Sequence, residues 1–246
     1  MQTARGLGVE LAYVERGDGP VVLLIHDLAA DALTFEPALE ALAPHARAIA
    51  YDRRGYGASS APAVYEGTTA EEQGEDAAAL LRELGVQRAL VAGDGFGALI
   101  ALDLLKRYPG LVAGAVLADP PLFAFVPAAT EALGVQREVL VRAVAAGGPE
   151  AAVDAWLGGR VEGRALDRAR TAHRAFFADY SGLTTLALTR GQLRAIAVPV
   201  TVVTGPLSPP VILAAADTIA GLIPGARRAT DGDFIAAALE LVAPAP

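Results

Sequence analysis

Apolar residues follow two rhythms along this chain, and the two alternate. Short apolar runs bounded by turn residues read as buried strands, and longer stretches with apolar positions three or four apart read as helices. Residues 8–14 alternate weakly through Val9, Leu11 and Tyr13, which predicts an edge strand. After the turn Gly17–Asp18–Gly19–Pro20, the run 21–25 (VVLLI) is continuously apolar, as expected of a strand covered on both faces. Leu33, Phe35, Leu39 and Leu42 give 32–43 a helical face, and 46–51 returns to strand. Thr68 with Glu71, and Thr69 with Glu72, each offer a capping box for a helix that runs to Leu84 and stops at Gly85. A strand at 89–92, a glycine-rich turn at 93–97, a helix to Tyr108 and a strand at 113–118 follow. Pro109–Gly110 separates the last two.

The rhythm then changes. From 120 to 197 only helical patterns occur, at 136–146, 149–157 and 164–180, punctuated by Gly147–Gly148 and Gly158–Gly159. Strand and helix then alternate again at 198–204, 211–222, 226–229 and 234–242. Repeated strand–helix units predict an α/β fold, a mostly parallel sheet with helices on both faces. Residues 1–119 and 198–246 are expected to form its core, and 120–197 an inserted helical lid.

Composition narrows the function classes. The 246 residues are 53% hydrophobic, enough for one sizeable core, yet no apolar run approaches the ~18 residues of a membrane span. The amino terminus lacks a basic-then-apolar pattern, so a soluble, cytoplasmic protein is expected. There is no cysteine, which excludes disulfides, thiolate metal sites and cysteine nucleophiles. A net charge of −8 without a basic patch argues against nucleic acid and anionic membranes as partners. No metal site and no cofactor motif is read, and a small-molecule ligand is the expected partner. Only three histidines occur, His26, His45 and His173.

Five stretches in register carry a resemblance. Residues 21–27 (VVLLIHD) resemble a strand ending in an H-G oxyanion-hole motif, with Phe35 where an aromatic usually follows. Residues 51–59 (YDRRGYGAS) resemble a D-x-R-G-x-G-x-S loop. Residues 91–98 (VAGDGFGA) resemble the nucleophile elbow G-x-S-x-G, 199–205 (PVTVVTG) the strand before a catalytic acid, and 223–226 (IPGA) the segment before a catalytic histidine. Together they resemble the α/β-hydrolase superfamily over nearly the whole chain, as a degenerate member.

The departures from that pattern are as informative as the matches. Gly95 stands in the nucleophile slot, flanked by the small residues Gly93, Gly97 and Ala98 that a sharp turn needs. Asp94 is a substitute nucleophile only if the register shifts by one, which puts Phe96 where a close-packed glycine belongs. Otherwise Asp94 favours the start of the following helix. The resemblance assigns an oxyanion hole to the backbone N–H groups of Phe96 and Leu28. Asp27 replaces the usual glycine there. Facing inward, it would oppose an oxyanion and suit a cation or a proton; facing outward, it is a loop residue. His26 is expected to brace its loop. The acid slot reads Pro206–Leu207–Ser208, with Asp119 as the acid of an alternative arrangement, and the histidine loop is short. His45 is expected at the surface. In the lid, His173, Phe177 and Tyr180 are candidates to roof the pocket, with Phe123 and Phe125 at its entrance. Arg54 is expected to anchor its loop to Asp52.

A Ser-His-Asp relay needs all three groups, and here each slot is altered. The same His-Asp and G-x-G-x-G-A pairing is similar to the non-catalytic N-myc downstream-regulated branch. Three functions remain open. One is a protein without a working triad that binds a small, largely apolar ligand in a capped pocket, with isomerase, lyase or cyclase chemistry. The second is a non-catalytic binding or regulatory pseudoenzyme. The third is a hydrolase that uses Asp94, or a variant of a serine hydrolase whose natural residue at 95 is serine. Candidate catalytic residues are Asp27, Asp94 and Asp119, and candidate ligand-binding residues are His26, Leu28, Gly95, Phe96, Phe123, His173, Phe177 and Tyr180.

Overall fold

The run Val21–Ile25 becomes β3, at the centre of the molecule. Leu23, Leu24 and Ile25 are all fully buried. β3 pairs in parallel with β4 (Arg47–Tyr51) on one side and β5 (Ala89–Asp94) on the other. In the computed structural model, which describes residues 1–242, the sheet continues through β6 (Val112–Ala118), β7 (Val200–Val203) and β8 (Arg227–Ala229), all parallel. On the far side β2 (Glu10–Arg16) is antiparallel to β4, and β1 (Gln2–Arg5) antiparallel to β2. The order is β1-β2-β4-β3-β5-β6-β7-β8. β1 escapes sequence reading because only Ala4 of its four residues is buried, so it has no apolar rhythm. Residues 243–246, at the end of the expected 198–246 segment, lie outside the described residues.

Side-chain alternation sorts the strands onto two apolar layers. Leu23, Ile25, Ile49, Tyr51 and Val91 face α2 (Ala70–Glu83) and α3 (Phe96–Arg107). Val22, Leu24, Ala48, Ala50 and Ala92 face α1 (Glu36–Leu42) and α9 (Phe234–Val242). Each fully buried Leu or Ile contributes about 1.5–3 kcal/mol, so the doubly covered strands are the main hold on the fold. At the start of α2 the two possible caps divide the work. Thr69 accepts from the N–H of Glu72, while the Thr68 hydroxyl donates to the Glu72 carboxylate.

Between β6 and β7 lie four helices: α4 (Ala129–Leu157), α5 (Gly163–Thr171), α6 (His173–Gly182) and α7 (Arg190–Arg194). α4 is broken at Gly148 (φ 81°, ψ −174°), one residue before Pro149. The helix expected over 164–180 is also broken, at Ala172. There the His173 ring hydrogen-bonds the Arg170 carbonyl at 3.0 Å and partners a carbonyl at the end of α5. The last helix of the chain before α9 is α8 (Pro210–Leu222).

A buried charge network fixes these helices to the sheet. Arg53, wholly buried after β4, pairs with the equally buried Asp179 of α6 at 2.6 Å. It also donates to Gln73 of α2 at 2.7 Å and to the carbonyl of Asp27 at 3.1 Å. Asp179 accepts further from Gln73 at 2.6 Å and from the Tyr56 hydroxyl at 2.8 Å. Removing one partner strands a desolvated charge, so Asp179→Ala should cost about 3–5 kcal/mol. Urea denaturation checks this; a loss under ~1 kcal/mol would mean that the buried pair contributes no more than an exposed one.

Candidate active site

The turn between β5 and α3 has the shape its glycines predict. A Cβ on Gly93 would land on the Gly97 carbonyl, and one on Gly97 would land on the Ile25 carbonyl, so backbone meets backbone at both points. Gly95 sits at the tip with φ 53° and ψ −116°, a conformation strained for any L side chain. Asp94 is still part of β5. The strained tip position therefore belongs to residue 95, and the register that would make Asp94 the elbow residue is not adopted.

The space beside Gly95 is filled from another loop. A Cβ placed on Gly95 would fall inside the carboxyl group of Asp27. Asp27 Oδ1 accepts from the N–H of Phe96 at 2.7 Å, and its carboxylate also takes a backbone hydrogen bond from Leu28. These are the two N–H groups to which the resemblance assigns an oxyanion hole. Asp27 thus faces inward, against the N-terminal end of α3, where the helix dipole favours an anion. His26 places it there. Its Nε2 accepts from the Arg53 N–H at 3.0 Å, which leaves Nδ1 as the donor to the Asp27 carbonyl at 2.8 Å. Burial, and then the nearby Arg53 guanidinium, hold His26 well below its ordinary pKa. It is a neutral brace with no exposure to the hollow.

Three carboxyl groups surround the tip. Burial raises the pKa of Asp27, while the N–H groups of Phe96 and Leu28 pull it back. Asp94 is pushed up to about 8, first by burial and then by the charges of Asp27 and Asp119. Asp119 follows β6 with φ 41°, and its Oδ1 accepts from Ser208 Oγ at 2.6 Å. Ser208, in the expected acid slot, is thus a ligand of Asp119. The described residues hold no cluster of three or more His, Asp or Glu side chains arranged for a metal.

Asp27, Leu28, Asp94, Gly95, Asp119 and Phe123 line one hollow of about 380 Å³. Its apolar wall comes from Leu133, Trp156, Leu183 and Ile212. A smaller recess of about 170 Å³ opens beside it, between Trp156 and the Asp31–Arg168 ion pair. Other candidates fall elsewhere. Phe96 gives only its N–H, since its fully buried ring lies 5.0 Å from the Arg53 guanidinium. Phe177 and Tyr180 line a separate surface hollow of about 290 Å³ with Leu140 and Val144. His173 lines none of these hollows and serves the helix break described above, and His45 is exposed. Arg54 pairs with Asp76 at 2.6 Å and with Glu72 instead of Asp52, whose carboxylate accepts from the N–H groups of Ala32 and Ala58. Trp156, Leu183 and Arg160, all of which line the hollow beside Gly95, were missed by sequence reading. The lone tryptophan, in a segment otherwise rich in alanine, was the available signal for the first.

A family model described as alpha/beta hydrolase fold matches residues 20–149, over half of the chain. The chain belongs to this family. It is 37% identical over 102 residues to the uncharacterized hydrolase YraK of Bacillus subtilis, covering 42% of this chain and 38% of that protein. It is 32% identical over 111 residues to a 2-(acetamidomethylene)succinate hydrolase of Mesorhizobium japonicum, covering 45% and 39% respectively. The matches thus span well under half the length of these curated relatives. Among solved structures, an enol-lactonase from Burkholderia xenovorans superposes with a TM-score of 0.79 at 24% identity, over 98% of this chain and 99% of that one. At that identity the likeness is one of fold.

Two measurements test this geometry. Gly95→Ser should lose about 1–3 kcal/mol through collision with Asp27, and the double variant with Asp27→Gly should recover most of it; thermal unfolding of the set decides. Asp94 titrates higher folded than unfolded, so the folded chain binds its proton more tightly. Its contribution to stability should therefore fall as pH rises from about 4 to about 8 and level off above. Against Asp94→Asn, unfolding free energies across that range should diverge and then run parallel.

Proposed function

We propose that this family member performs non-covalent acid–base chemistry on a small, largely apolar ligand, with Asp27 as proton acceptor and Asp94 as proton donor. The observation that carries the reading is the carboxyl group of Asp27 in the space a nucleophile's Cβ would need, hydrogen-bonded to the N–H of Phe96. One group thereby takes the positions of both the attacking side chain and the oxyanion, which leaves an acyl-enzyme no place to form. The neighbouring pair supports the rest. Asp94 keeps its proton near neutral pH, partly because Asp27 beside it is charged, and carboxyls held in different protonation states divide into acid and base. The apolar walls above them suit isomerase, lyase or cyclase substrates, and the four helices between β6 and β7 act as the cap. A binding protein without turnover is the limit of this reading in which no proton moves.

A hydrolytic version is favoured by the hydrolase names of the matched relatives. In it, one of the two carboxylates activates water. The test is a panel of small carbonyl and enol compounds in deuterated buffer. Deuterium should enter at least one compound at carbon, with the rate falling about 10²–10⁴-fold in Asp27→Asn. Wild-type protein should neither react with a fluorophosphonate probe nor show a burst with nitrophenyl esters. An ester burst abolished by Asp94→Asn would overturn the proposal in favour of covalent hydrolysis.

A further inference from the structure

Asp94 and Asp119 border a second opening, on the other side of the elbow from the hollow under the helices. This cleft, of about 470 Å³, runs between the Thr34–Phe35 turn, the ends of β6 and β7, and the short loop Gly232–Asp233 before α9. Its lining carries three carboxyl side chains, Asp94, Asp119 and Asp233, and no lysine, arginine or histidine. Asp233 spends one oxygen on the Ala236 N–H at 2.8 Å, and Asp119 one on Ser208. Independently, Thr204 lines the cleft at 1% exposure, and its Oγ1 has no hydrogen-bond partner. Such orphan hydroxyls are uncommon in folded proteins and mark a place for a missing partner. One wall is aromatic: Phe35 and Phe234 stack at 5.5 Å and 21° between planes.

We infer that this cleft binds a small planar nitrogen cation, of the imidazolium or amidinium class, between the carboxylate of Asp119, the carboxyl oxygen of Asp94, the Thr204 hydroxyl and the Phe35–Phe234 pair. A delocalised cation supplies in-plane N–H donors for carboxylate and hydroxyl oxygens, and its flat faces match the aromatic wall. Its charge also complements the Asp119 carboxylate, which no lysine, arginine or histidine of the lining offsets. A monoanion or a neutral apolar molecule gains neither effect. The two openings share Asp94 and Asp119 and differ in every other lining residue, and binding a cation here requires no proton transfer in the other hollow.

The probe is imidazole in slightly acidic buffer, where it is a cation, titrated into ¹⁵N-labelled full-length protein. Saturable shifts are expected at Gly205, Gly232 and Phe234. Asp119→Asn should weaken binding about tenfold, and Thr204→Val severalfold, while Glu240→Gln leaves it unchanged. Neutral pyrazole of the same shape should bind at least about tenfold more weakly. The inference is overturned by no saturable response, by equal binding of pyrazole, or by shifts confined to Phe123, Leu133 and Leu183. The last outcome would place the cation in the other hollow. None of these outcomes bears on deuterium exchange, so the two proposals fail separately.

Discussion

A guanidinium with no exposure, paired to a carboxylate with none, cannot be moved or neutralised cheaply. Arg53 and Asp179 impose that constraint here. Their atoms reach four parts of the chain at once: the loop after β4, α2 through Gln73, α6 of the inserted helices, and the carbonyl of Asp27. The last contact matters most for the site. It holds the backbone of the Asp27 loop from below, while His26 grips the same carbonyl from the side. With the loop fixed, the carboxylate of Asp27 reaches the turn between β5 and α3.

Two residues 68 apart in sequence then behave as one position. Gly95 vacates a volume and Asp27 enters it, so neither departure from the family pattern is intelligible alone. A serine at 95 needs the glycine that usually follows the histidine at 26, and an aspartate at 27 needs glycine at 95. The same logic extends to the short loop before α9. No histidine stands there, and the carboxylate of Asp119 turns to Ser208 instead.

Much of this was legible in the sequence, because doubly buried strands and sharp turns leave composition signatures. The run at 21–25, the glycines at 93 and 97 and the breaks at 147–148 and 158–159 all correspond to structural features. What stayed hidden depends on side-chain direction and on distance along the chain. Whether Asp27 points in or out is a rotation about one loop residue, which no pattern records. Arg54 chose Asp76 over Asp52 because backbone N–H groups had already claimed the Asp52 carboxylate. Phe177 and Tyr180 lie on α6, none of whose residues lines the hollow beside Gly95, and they face a separate surface hollow instead. β1 was invisible because an edge strand with one buried residue has no rhythm.

The carboxylate seated on the Phe96 and Leu28 N–H groups is also a tethered occupant. A loop only one residue from a rigid strand presents it to those donors at an effective concentration that no free anion in solution matches. Any free anion must compete for the Phe96 N–H with a carboxylate that never diffuses away. The fold has exchanged a general receptor for negative charge for a carboxyl group of its own, built into the chain.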